Sequence, residues 1–343
     1  MAAAAPTRVV VADDSGFMRQ MLSSALRDEG FDVIAAACDG DEALALCTEH
    51  EPDAITLDLA MPGMDGIGFL RALKRPGAPE VPVVVVSAFS PAHGARAVDA
   101  LAEGAFDLVA KPEGPDAMKP FTRELASKVR AAAESLRRRV TSGRVAPPPV
   151  RRPASTGTKR AVVIATSTGG PKALAAVMPR LPAPLGQGTV IVQHMPEGFT
   201  ASLAARLDAA SPLTIREARP GDALNPGTAL LAAGGSHLRF GTSRRSQLTG
   251  EDPIGGLRPR ADLTIEDVAG LFGSKTLLVV LTGMGRDGLE GAKAVKAAGG
   301  RILAEAESTC TVYGMPRAVA EAGLADAVLP IDELPAVIAE EAG

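Results

Sequence analysis

Short runs of aliphatic and β-branched residues alternate with Ala- and Leu-rich stretches along most of this 343-residue chain. The first series of runs begins at Arg8 and reads RVVVA, FDVIAAA, DAITLDL, VPVVVVSAF and FDLVAKP. Between two of these runs, DGDEALALCTEH has the apolar spacing of an amphipathic helix. Strands that alternate with helices in this way form βαβ units, so the pattern predicts an α/β fold built on a parallel sheet.

The same alternation occurs a second time after a break. The first series ends in a basic amphipathic stretch from about Met118 to Arg139, and the text TSGRVAPPPVRRPASTGTKR follows it. Three consecutive prolines among Ser, Thr and Gly cannot make a packed element, so this segment is typical of a stiff, exposed linker. The second series reads AVVIATS, TVIVQHM, TALLAAG, TLLVVLTG and RILAEAE. We therefore predict two doubly wound parallel-sheet domains, residues 1–128 and 159–343, joined by a linker over 129–158.

The composition of the chain argues against several kinds of partner. A net charge of -4 disfavours a duplex-binding surface, and 3% aromatic residues with no Trp leave few rings for stacking bases. We therefore expect no nucleic-acid partner and interpret the basic linker as a solvated tether. No uncharged apolar run reaches membrane-spanning length, so no membrane insertion is expected. The three cysteines lie far apart without a C-x-x-C pair, which favours a reducing, cytoplasmic location.

Polar residues end four of the five runs of the first series. Asp13 and Asp14 follow the first run, Asp58 the third, Ser87 the fourth and Lys111 the fifth. In an open parallel sheet, ligands bind beyond the carboxyl ends of the strands, so these side chains are expected in one crevice. Three carboxylates in one crevice repel one another unless a cation is bound, and hard oxygen ligands of this kind suit Mg²⁺.

The same residue types suit phosphoryl transfer. Asp58 is the candidate acceptor, because a carboxylate can take a phosphoryl group when a metal ion and a lysine neutralise the transferred oxygens. Ser87 would donate a hydrogen bond to a phosphoryl oxygen, and Lys111 would pair with the carboxylate or the phosphate. Each residue alone is explained as a strand-end cap, but all four positions in this order favour a phosphorylation site.

Residues 8 to about 128 resemble the receiver domain of two-component response regulators through VVADDSGFMR, LDLAMPGMDG, VVVVSAF and GAFDLVAKP. The resemblance implies a flavodoxin-like fold, phosphorylation of Asp58 by a histidine kinase, and Mg²⁺ held by Asp13 or Asp14 with Asp58. It also implies that Phe106 is the aromatic switch residue.

The first run of the second series ends in ATSTGGPKAL, which places Ser167 on a sharp strand-to-helix turn before Gly169 and Gly170. Two interpretations are open for such a turn. It could cradle a phosphate, but the G-x-G-x-x-G spacing of dinucleotide sites is absent. Alternatively, Ser167 is a nucleophile on an elbow, with nearby backbone amides available as an oxyanion hole.

A serine nucleophile needs a base and an orienting carboxylate. The next run, TVIVQH, delivers His194 at its end, and TLLVVL runs into TGMGRDG, which places Asp287 on another strand-end loop. Of the four histidines, only His194 and His237 fall in the second domain, and a strand-end position beside Ser167 favours His194. The chain order Ser, His, Asp differs from the orders of the α/β-hydrolases, chymotrypsin and subtilisin.

Residues 159 to about 340 resemble the catalytic domain of the chemotaxis methylesterases (CheB family) through STGGP, VQHMPEGFTASLAARL, LTGMGRDG and YGMPRAV. The resemblance implies a Rossmann-like domain without a cofactor, with Ser167, His194 and Asp287 as the triad and the Met284 amide as an oxyanion donor. It further implies hydrolysis of glutamate methyl esters on methylated chemoreceptors, deamidation of glutamines, and inhibition by the receiver until Asp58 is phosphorylated.

Two segments depart from the pattern of these methylesterases. Ala165 and Thr166 stand before the nucleophile where the family usually has glycine and alanine, and the text around Asp262 is ADLTIEDVAGLF instead of a DVLF-type segment. Two alternatives therefore stay open: a receiver-linked esterase or amidase outside chemotaxis, and a receptor-binding adaptor with a vestigial triad.

Overall fold

Two parallel sheets organise the chain in a computed structural model that describes residues 5–88, 91–114, 117–141 and 158–343. The chain divides into two compact units, Met1–Gly143 and Arg144–Gly343. The prediction of two doubly wound α/β domains is confirmed, because each unit is built on its own parallel sheet flanked by helices. Within the described ranges, no helix combines the length and the apolar character that crossing a membrane requires.

The sheet of the first unit has five parallel strands in the order β2-β1-β3-β4-β5, which is the order of the flavodoxin-like fold that the resemblance implies. Its strands are β1 (Arg8–Ala12), β2 (Asp32–Ala37), β3 (Ala54–Leu57), β4 (Val83–Ser87) and β5 (Asp107–Ala110). Its helices are α1 (Gly16–Asp28), α2 (Gly40–His50), α3 (Gly66–Ala72), α4 (Pro91–Ala102) and α5 (Met118–Thr141). The strand order reverses between β1 and β3, so a crevice opens at their carboxyl ends.

Side-chain caps fix where three of these helices begin. Ser15, Asp39 and Asp65 precede α1, α2 and α3, and each side chain accepts a hydrogen bond from a backbone N–H in the first turn of its helix. Strands β3 and β4 are fully buried, as expected for the middle of a parallel sheet covered on both faces.

Helix α5 continues into the segment that the sequence analysis assigns to the linker. Residues 129–141 of that segment are helical, because Val129, Ala132 and Ala133 are buried and extend the apolar face of the helix. Residues 142–157, which contain the three prolines, lie outside the described residues.

The second unit has a seven-stranded parallel sheet in the order β14-β13-β12-β6-β7-β9-β8. Its strands are β6 (Ala161–Thr166), β7 (Thr189–Gln193), β8 (Thr214–Glu217), β9 (Thr228–Leu231), β12 (Thr276–Val280), β13 (Arg301–Glu305) and β14 (Ala327–Leu329). A separate antiparallel hairpin consists of β10 (His237–Phe240) and β11 (Ser246–Thr249). The helices are α6 (Gly170–Val177), α7 (Thr200–Ala210), α8 (Ala261–Phe272), α9 (Leu289–Ala297), α10 (Met315–Glu321) and α11 (Leu334–Ala342).

Strand β6 lies in the middle of this sheet, between β12 and β7. Its residues are completely buried, and they pack with aliphatic residues of β7, β12 and α8 in one core. The chain proceeds from β6 to β7 on one side and reaches β12 on the other side only later, so the switch point of the sheet lies between β6 and β12. The segments that follow these three strands therefore meet at one edge.

A buried ion pair ties the last helix to the first strand of the second unit. Glu341 on α11 lies 3.1 Å from the Nη1 atom of Arg160 and 3.2 Å from the Nη2 atom of Arg301. The backbone N–H of Arg160 also donates to the carbonyl of Ala342 at 2.9 Å. Removing one charge from such a pair leaves the other charge buried and uncompensated.

We expect Glu341→Gln to lower the free energy of unfolding of the second unit by about 3 kcal/mol, the usual cost of breaking a buried pair. Urea unfolding of the full chain can be followed by the fluorescence of Tyr313, because it is the only tyrosine and there is no Trp. Glu340→Gln is the matched control, since Glu340 is exposed on the same helix, and it should change stability by no more than about 0.5 kcal/mol. Equal effects of the two substitutions would contradict the role given to the pair.

Candidate functional site

The crevice of the first unit contains three carboxylates. One oxygen from each of Asp13, Asp14 and Asp58 lies within 4.8 Å of the others, with Asp13 and Asp58 buried and Asp14 exposed. Burial raises the pKa of the Asp13 carboxyl above its ordinary value, although the hydrogen bond from Lys111 opposes that rise. A divalent cation would relieve this crowding of negative charge, so the donor set fits Mg²⁺.

Lys111 is the cation that contacts two of these carboxylates. Its Nζ atom lies 2.8 Å from Asp13 Oδ2 and 3.0 Å from Asp58 Oδ2. Burial alone would lower the pKa of Lys111, but the hydrogen bond to Asp13 and the charges of both aspartates raise that pKa above its ordinary value. The other oxygen of Asp58 accepts the backbone N–H of Leu59 at 2.8 Å, which orients Oδ2 toward the lysine.

Ser87 and Phe106 are the two remaining predicted residues of this unit. Ser87 ends β4, next to β3, and its hydroxyl is buried without a hydrogen-bond partner among the described residues. A buried hydroxyl without a partner is costly, so it is suited to an incoming acceptor such as a phosphoryl oxygen. Phe106 lies just before β5 and is 7% exposed. Its role as a switch stays a prediction.

In the second unit, Ser167 directly follows β6 and is partly exposed. Its backbone N–H donates to the carbonyl of Thr282, beyond β12, at 3.0 Å. Its own carbonyl accepts the N–H of Gly170 at 2.7 Å and the side-chain amide of Gln193 at 3.0 Å. The turn is therefore held from both neighbouring strands, β12 and β7.

Glycines at this turn allow a backbone approach that no side chain would permit. Gly169 has a φ of 79°, in the left-handed region, and a Cβ atom there would lie 2.4 Å from Thr311 Cβ. A Cβ on Gly170 would lie 1.9 Å from Gln193 Oε1, and a Cβ on Gly283 would lie 2.8 Å from Ser167 Cβ. The STGG sequence thus forms a turn that packs directly against the end of β7 and against the segments that follow β12 and β13.

The two residues before the nucleophile have structural positions. Ala165 is completely buried in the strand. Thr166 is also buried, and its hydroxyl donates to the carbonyl of Thr282 at 2.8 Å, the same carbonyl that accepts the Ser167 N–H. The Thr166 side chain therefore adds a hydrogen bond between β6 and the loop that follows β12.

His194 and Asp287 form a direct contact. His194 Nε2 lies 2.7 Å from Asp287 Oδ2, and both side chains are buried. Because an ionised carboxylate only accepts hydrogen bonds, Nε2 carries the proton and Nδ1 is the basic nitrogen. His194 Nδ1 is buried without a hydrogen-bond partner in the described part of the chain. Ser167 lies at the end of the adjacent strand, but none of the hydrogen bonds between described residues joins its hydroxyl to His194.

The Asp287 carboxylate accepts several further hydrogen bonds. The donors are the backbone N–H groups of Ala261 at 2.7 Å, Asp262 at 3.0 Å and Gly288 at 3.0 Å, and the guanidinium Nε of Arg260 also lies 3.0 Å away. Burial alone would raise the pKa of Asp287, but the hydrogen bond and charge of His194 and the Ala261 N–H hold that pKa far below its ordinary value. The carboxylate is therefore ionised and fixed in one orientation.

Asp262 and Arg260 are site residues whose roles the sequence analysis missed. Asp262 Oδ1 accepts the N–H groups of Gly288 at 2.8 Å and Gly291 at 2.9 Å, and Oδ2 accepts Arg260 Nη2 at 2.7 Å. Burial, followed by the charge of Asp287, raises the pKa of Asp262 despite these donors. The available signal was an acidic residue in the first turn of a helix, preceded by an arginine.

Glu305 was also missed, although it ends β13 and the rule for strand ends applies to it. The carboxylate is almost completely buried and accepts the N–H of Thr282 at 2.8 Å and the hydroxyl of Thr309 at 3.0 Å. Burial raises the pKa of Glu305. Glu305 therefore holds the backbone of Thr282 through its N–H, and the carbonyl of the same residue accepts the N–H of Ser167.

His237, the rival base, has both ring nitrogens engaged with backbone groups. The N–H of Arg260 donates to Nδ1 at 3.2 Å, so Nε2 carries the proton and donates to the carbonyl of Asp252 at 3.3 Å. The ring is completely buried. These contacts favour a structural role for His237 and leave His194 as the candidate base.

Met284 follows Gly283, the residue that packs against Ser167, and is partly exposed. This position is compatible with an amide near the nucleophile. The role of Met284 as an oxyanion donor stays a prediction.

Comparisons with known proteins agree on two families. The model of the CheB methylesterase family matches residues 162–338, and the model of the response regulator receiver domain matches residues 9–122. A relative from Symbiobacterium thermophilum, named protein-glutamate methylesterase/protein-glutamine glutaminase, is 42% identical over 98% of both chains. A relative of the same name from Thermotoga maritima is 38% identical over 97% of this chain and 98% of its own.

A solved structure matches the second unit. The crystal structure of the Thermotoga maritima CheB methylesterase catalytic domain is 44% identical and covers 53% of this chain and 98% of its own, with a TM-score of 0.52.

We expect Gly170→Ala to destabilise the second unit by about 1 to 3 kcal/mol, the usual cost of overpacking. The added methyl group would have to displace Gln193, which donates to the carbonyls of both Ser167 and His194. The measurement is urea unfolding followed by Tyr313 fluorescence. The control is Gly270→Ala, an exposed position on α8 with open space around it, which should be stabilising by up to about 1 kcal/mol. A neutral Gly170→Ala substitution would show that the turn tolerates a side chain.

Proposed function

The chain belongs to the CheB methylesterase family, and from this membership we propose that it is a phosphorylation-activated serine hydrolase of chemotaxis. The substrate is a glutamate methyl ester on a chemoreceptor, and the products are glutamate and methanol. Support comes from the family match over residues 162–338 and the relatives named methylesterase. The observation that carries the reaction is the 2.7 Å contact between His194 and Asp287, at the strand end beside Ser167.

The esterase reaction follows from the roles of the three side chains. The Ser167 hydroxyl oxygen attacks the ester carbonyl while its proton passes to His194 Nδ1, the ring nitrogen that does not face Asp287. The proton then passes to the departing methoxide, which leaves as methanol, and the glutamyl group stays on Ser167 as an ester. Water attacks this ester with the same base, and glutamate and free Ser167 are restored.

Asp287 stays ionised throughout and stabilises the imidazolium that forms in both halves of the reaction. The Met284 amide is proposed to stabilise the negative oxygen of each tetrahedral intermediate. A glutamine side chain reacts by the same steps with ammonia as the leaving group. Deamidation is therefore included in the proposal, in line with the second activity in the names of the relatives.

Control is assigned to the first unit. We propose that Asp58 accepts a phosphoryl group from a histidine kinase, with Lys111 and Ser87 contacting the phosphoryl oxygens and Phe106 as the switch residue. Asp13, Asp14 and Asp58 would hold Mg²⁺, which when bound neutralises charge on the transferred oxygens. The receiver match over residues 9–122 and the contacts of Lys111 with Asp13 and Asp58 support this assignment.

The proposed partners place the protein in the cytoplasm. A histidine kinase supplies the phosphoryl group, and the methylated cytoplasmic helices of chemoreceptors supply the ester. No nucleic acid and no membrane insertion are part of this function. An adaptor with a vestigial triad is not favoured, because a buried, oriented His194–Asp287 pair is a costly arrangement for a surface that only binds.

We expect Ser167→Ala to lower methanol release from methylated receptor membranes by about 10³-fold or more, because no other group can carry the acyl intermediate. Ser202→Ala, a partly exposed position on α7 in the same unit, is the control and should release methanol at the rate of the unchanged protein. Substantial release by the Ser167→Ala protein would refute the assignment of the nucleophile.

We expect Asp58→Asn to abolish the increase in methanol release that a phosphodonor produces, while the rate without donor stays the same. For a coupling between sites of ordinary strength, phosphorylation should raise the rate by about 5- to 150-fold. Asp41→Asn is the control, because Asp41 is an exposed aspartate in the first turn of α2. Retained activation in the Asp58→Asn protein would place the phosphorylation site elsewhere.

A further inference from the structure

Arg260 lies between two buried carboxylates of the second unit. Its Nε atom is 3.0 Å from Asp287 Oδ1, and its Nη2 atom is 2.7 Å from Asp262 Oδ2. The planar guanidinium can address two acceptors at once, and its charge is permanent. A single cation therefore serves both acids, one of which is the hydrogen-bond partner of His194.

Helices α8 and α9 are joined at their N-termini by these two acids. Asp287 stands before α9 but accepts the N–H groups of Ala261 and Asp262 at the start of α8. Asp262 stands in the first turn of α8 but accepts the N–H groups of Gly288 and Gly291 at the start of α9. Each carboxylate thus caps the opposite helix, and the positive ends of both helix dipoles stabilise the pair.

With both carboxylates ionised, this arrangement carries one net negative charge. Two carboxylates and one guanidinium lie in contact, and His194 hydrogen-bonds to one of the carboxylates. When His194 takes the proton of the nucleophile, the imidazolium and the cluster together become neutral. Loss of the arginine would leave two negative charges beside the ring, and loss of Asp262 would leave none.

We propose that Arg260 and Asp262 are positioning residues that hold the Asp287 carboxylate in place and keep its cluster at one net negative charge. That charge stabilises the imidazolium that forms when His194 takes the proton of the nucleophile. The inference rests on the triad of the proposed function and adds two residues that act through Asp287. Neither of them is assigned a contact with the substrate.

Other charged groups near the cluster do not contact Asp287 in the described part of the chain. Glu266 on α8 interacts electrostatically with Asp262, with the Arg239–Asp267 pair and with Glu290 on α9. His237, on β10, accepts the backbone N–H of Arg260 at one ring nitrogen and donates to the carbonyl of Asp252 from the other. These groups are unchanged in the Arg260 and Asp262 variants below, so they contribute equally to those measurements.

The test measures the titration of His194 in the full chain by NMR, with its ring signal assigned by substitution of each of the four histidines. We expect Arg260→Gln to move the titration midpoint to higher pH by about half a unit to one unit, because added negative charge favours the imidazolium. Asp262→Asn should move it to lower pH by a similar amount. The double variant Arg260→Gln/Asp262→Asn restores one negative charge, so its midpoint should return to within about 0.2 units of the unchanged protein.

The rate of methanol release from methylated receptor membranes should also be measured against pH. The midpoint of the acidic limb of this pH–rate profile should shift in the same direction in each variant as the titration midpoint. Arg260→Lys keeps the charge but loses the planar fork, so its midpoint should stay unchanged while the rate falls. Arg239→Gln is the control, because Arg239 forms a two-bond pair with Asp267 on the same helix α8 but does not touch Asp287. Its midpoint should not move.

Shifts of the two single variants in the same direction, or a double variant that does not return, would overturn the proposal and leave the cluster a purely structural feature. If Arg260→Gln fails to fold, Asp262→Asn and Arg260→Lys test the proposal in its place. An unchanged midpoint in Asp262→Asn would contradict the charge balance, and so would a shifted midpoint in Arg260→Lys. If the proposed function itself were wrong, the two measurements would disagree. The unchanged protein would then release no methanol, while the ring titration would still follow the charge.

Discussion

The buried carboxylate of Asp287 is the interaction on which the second unit depends. It joins the loop after β12, the start of α8 and the histidine that follows β7, because its two oxygens accept from His194, Ala261 and Asp262 and pair with Arg260. A buried negative charge is tolerated only when its desolvation is offset by donors and a counter-charge. The Asp287 carboxylate therefore orients His194 and also joins the loop before α9 to the start of α8.

The nucleophile is held by a second set of contacts that begins at Glu305. This buried acid fixes the peptide of Thr282, and the Thr282 carbonyl in turn accepts from Thr166 and Ser167. Gln193 supports the same turn from the opposite strand. The chain at the ends of β6, β7 and β12 thus carries the three residues of the proposed triad, Ser167, His194 and Asp287. It also carries three residues that hydrogen-bond to a neighbouring segment, Thr166, Gln193 and Thr282. This dense support explains why the adjacent glycines leave no room for a side chain.

The sequence predicted the strands that carry the sites better than the elements around them. The five runs of each series became strands of the two parallel sheets, because they are continuous and rich in β-branched residues, and most of them are buried on both faces. Strands β8 and β14 were not identified, since a strand of four or three residues at the edge of a sheet has too short a pattern to detect. The hairpin of β10 and β11 was missed for the same reason. The amphipathic stretch from about Met118 to Arg139 corresponds to helix α5, so the linker assigned from residue 129 starts inside this helix.

By itself the sequence determined two parallel α/β domains, the acids, serine and lysine that end the strands of the first, and the serine, histidine and aspartate that follow strands of the second. Strand ends are readable because each is a local change from apolar to polar text. Only the tertiary structure decided that His237 is occupied by backbone groups, that His194 presents Nδ1, and that Arg260 and Asp262 join Asp287. Those facts depend on contacts between residues distant in the chain, and no local pattern encodes which buried donor reaches which acceptor.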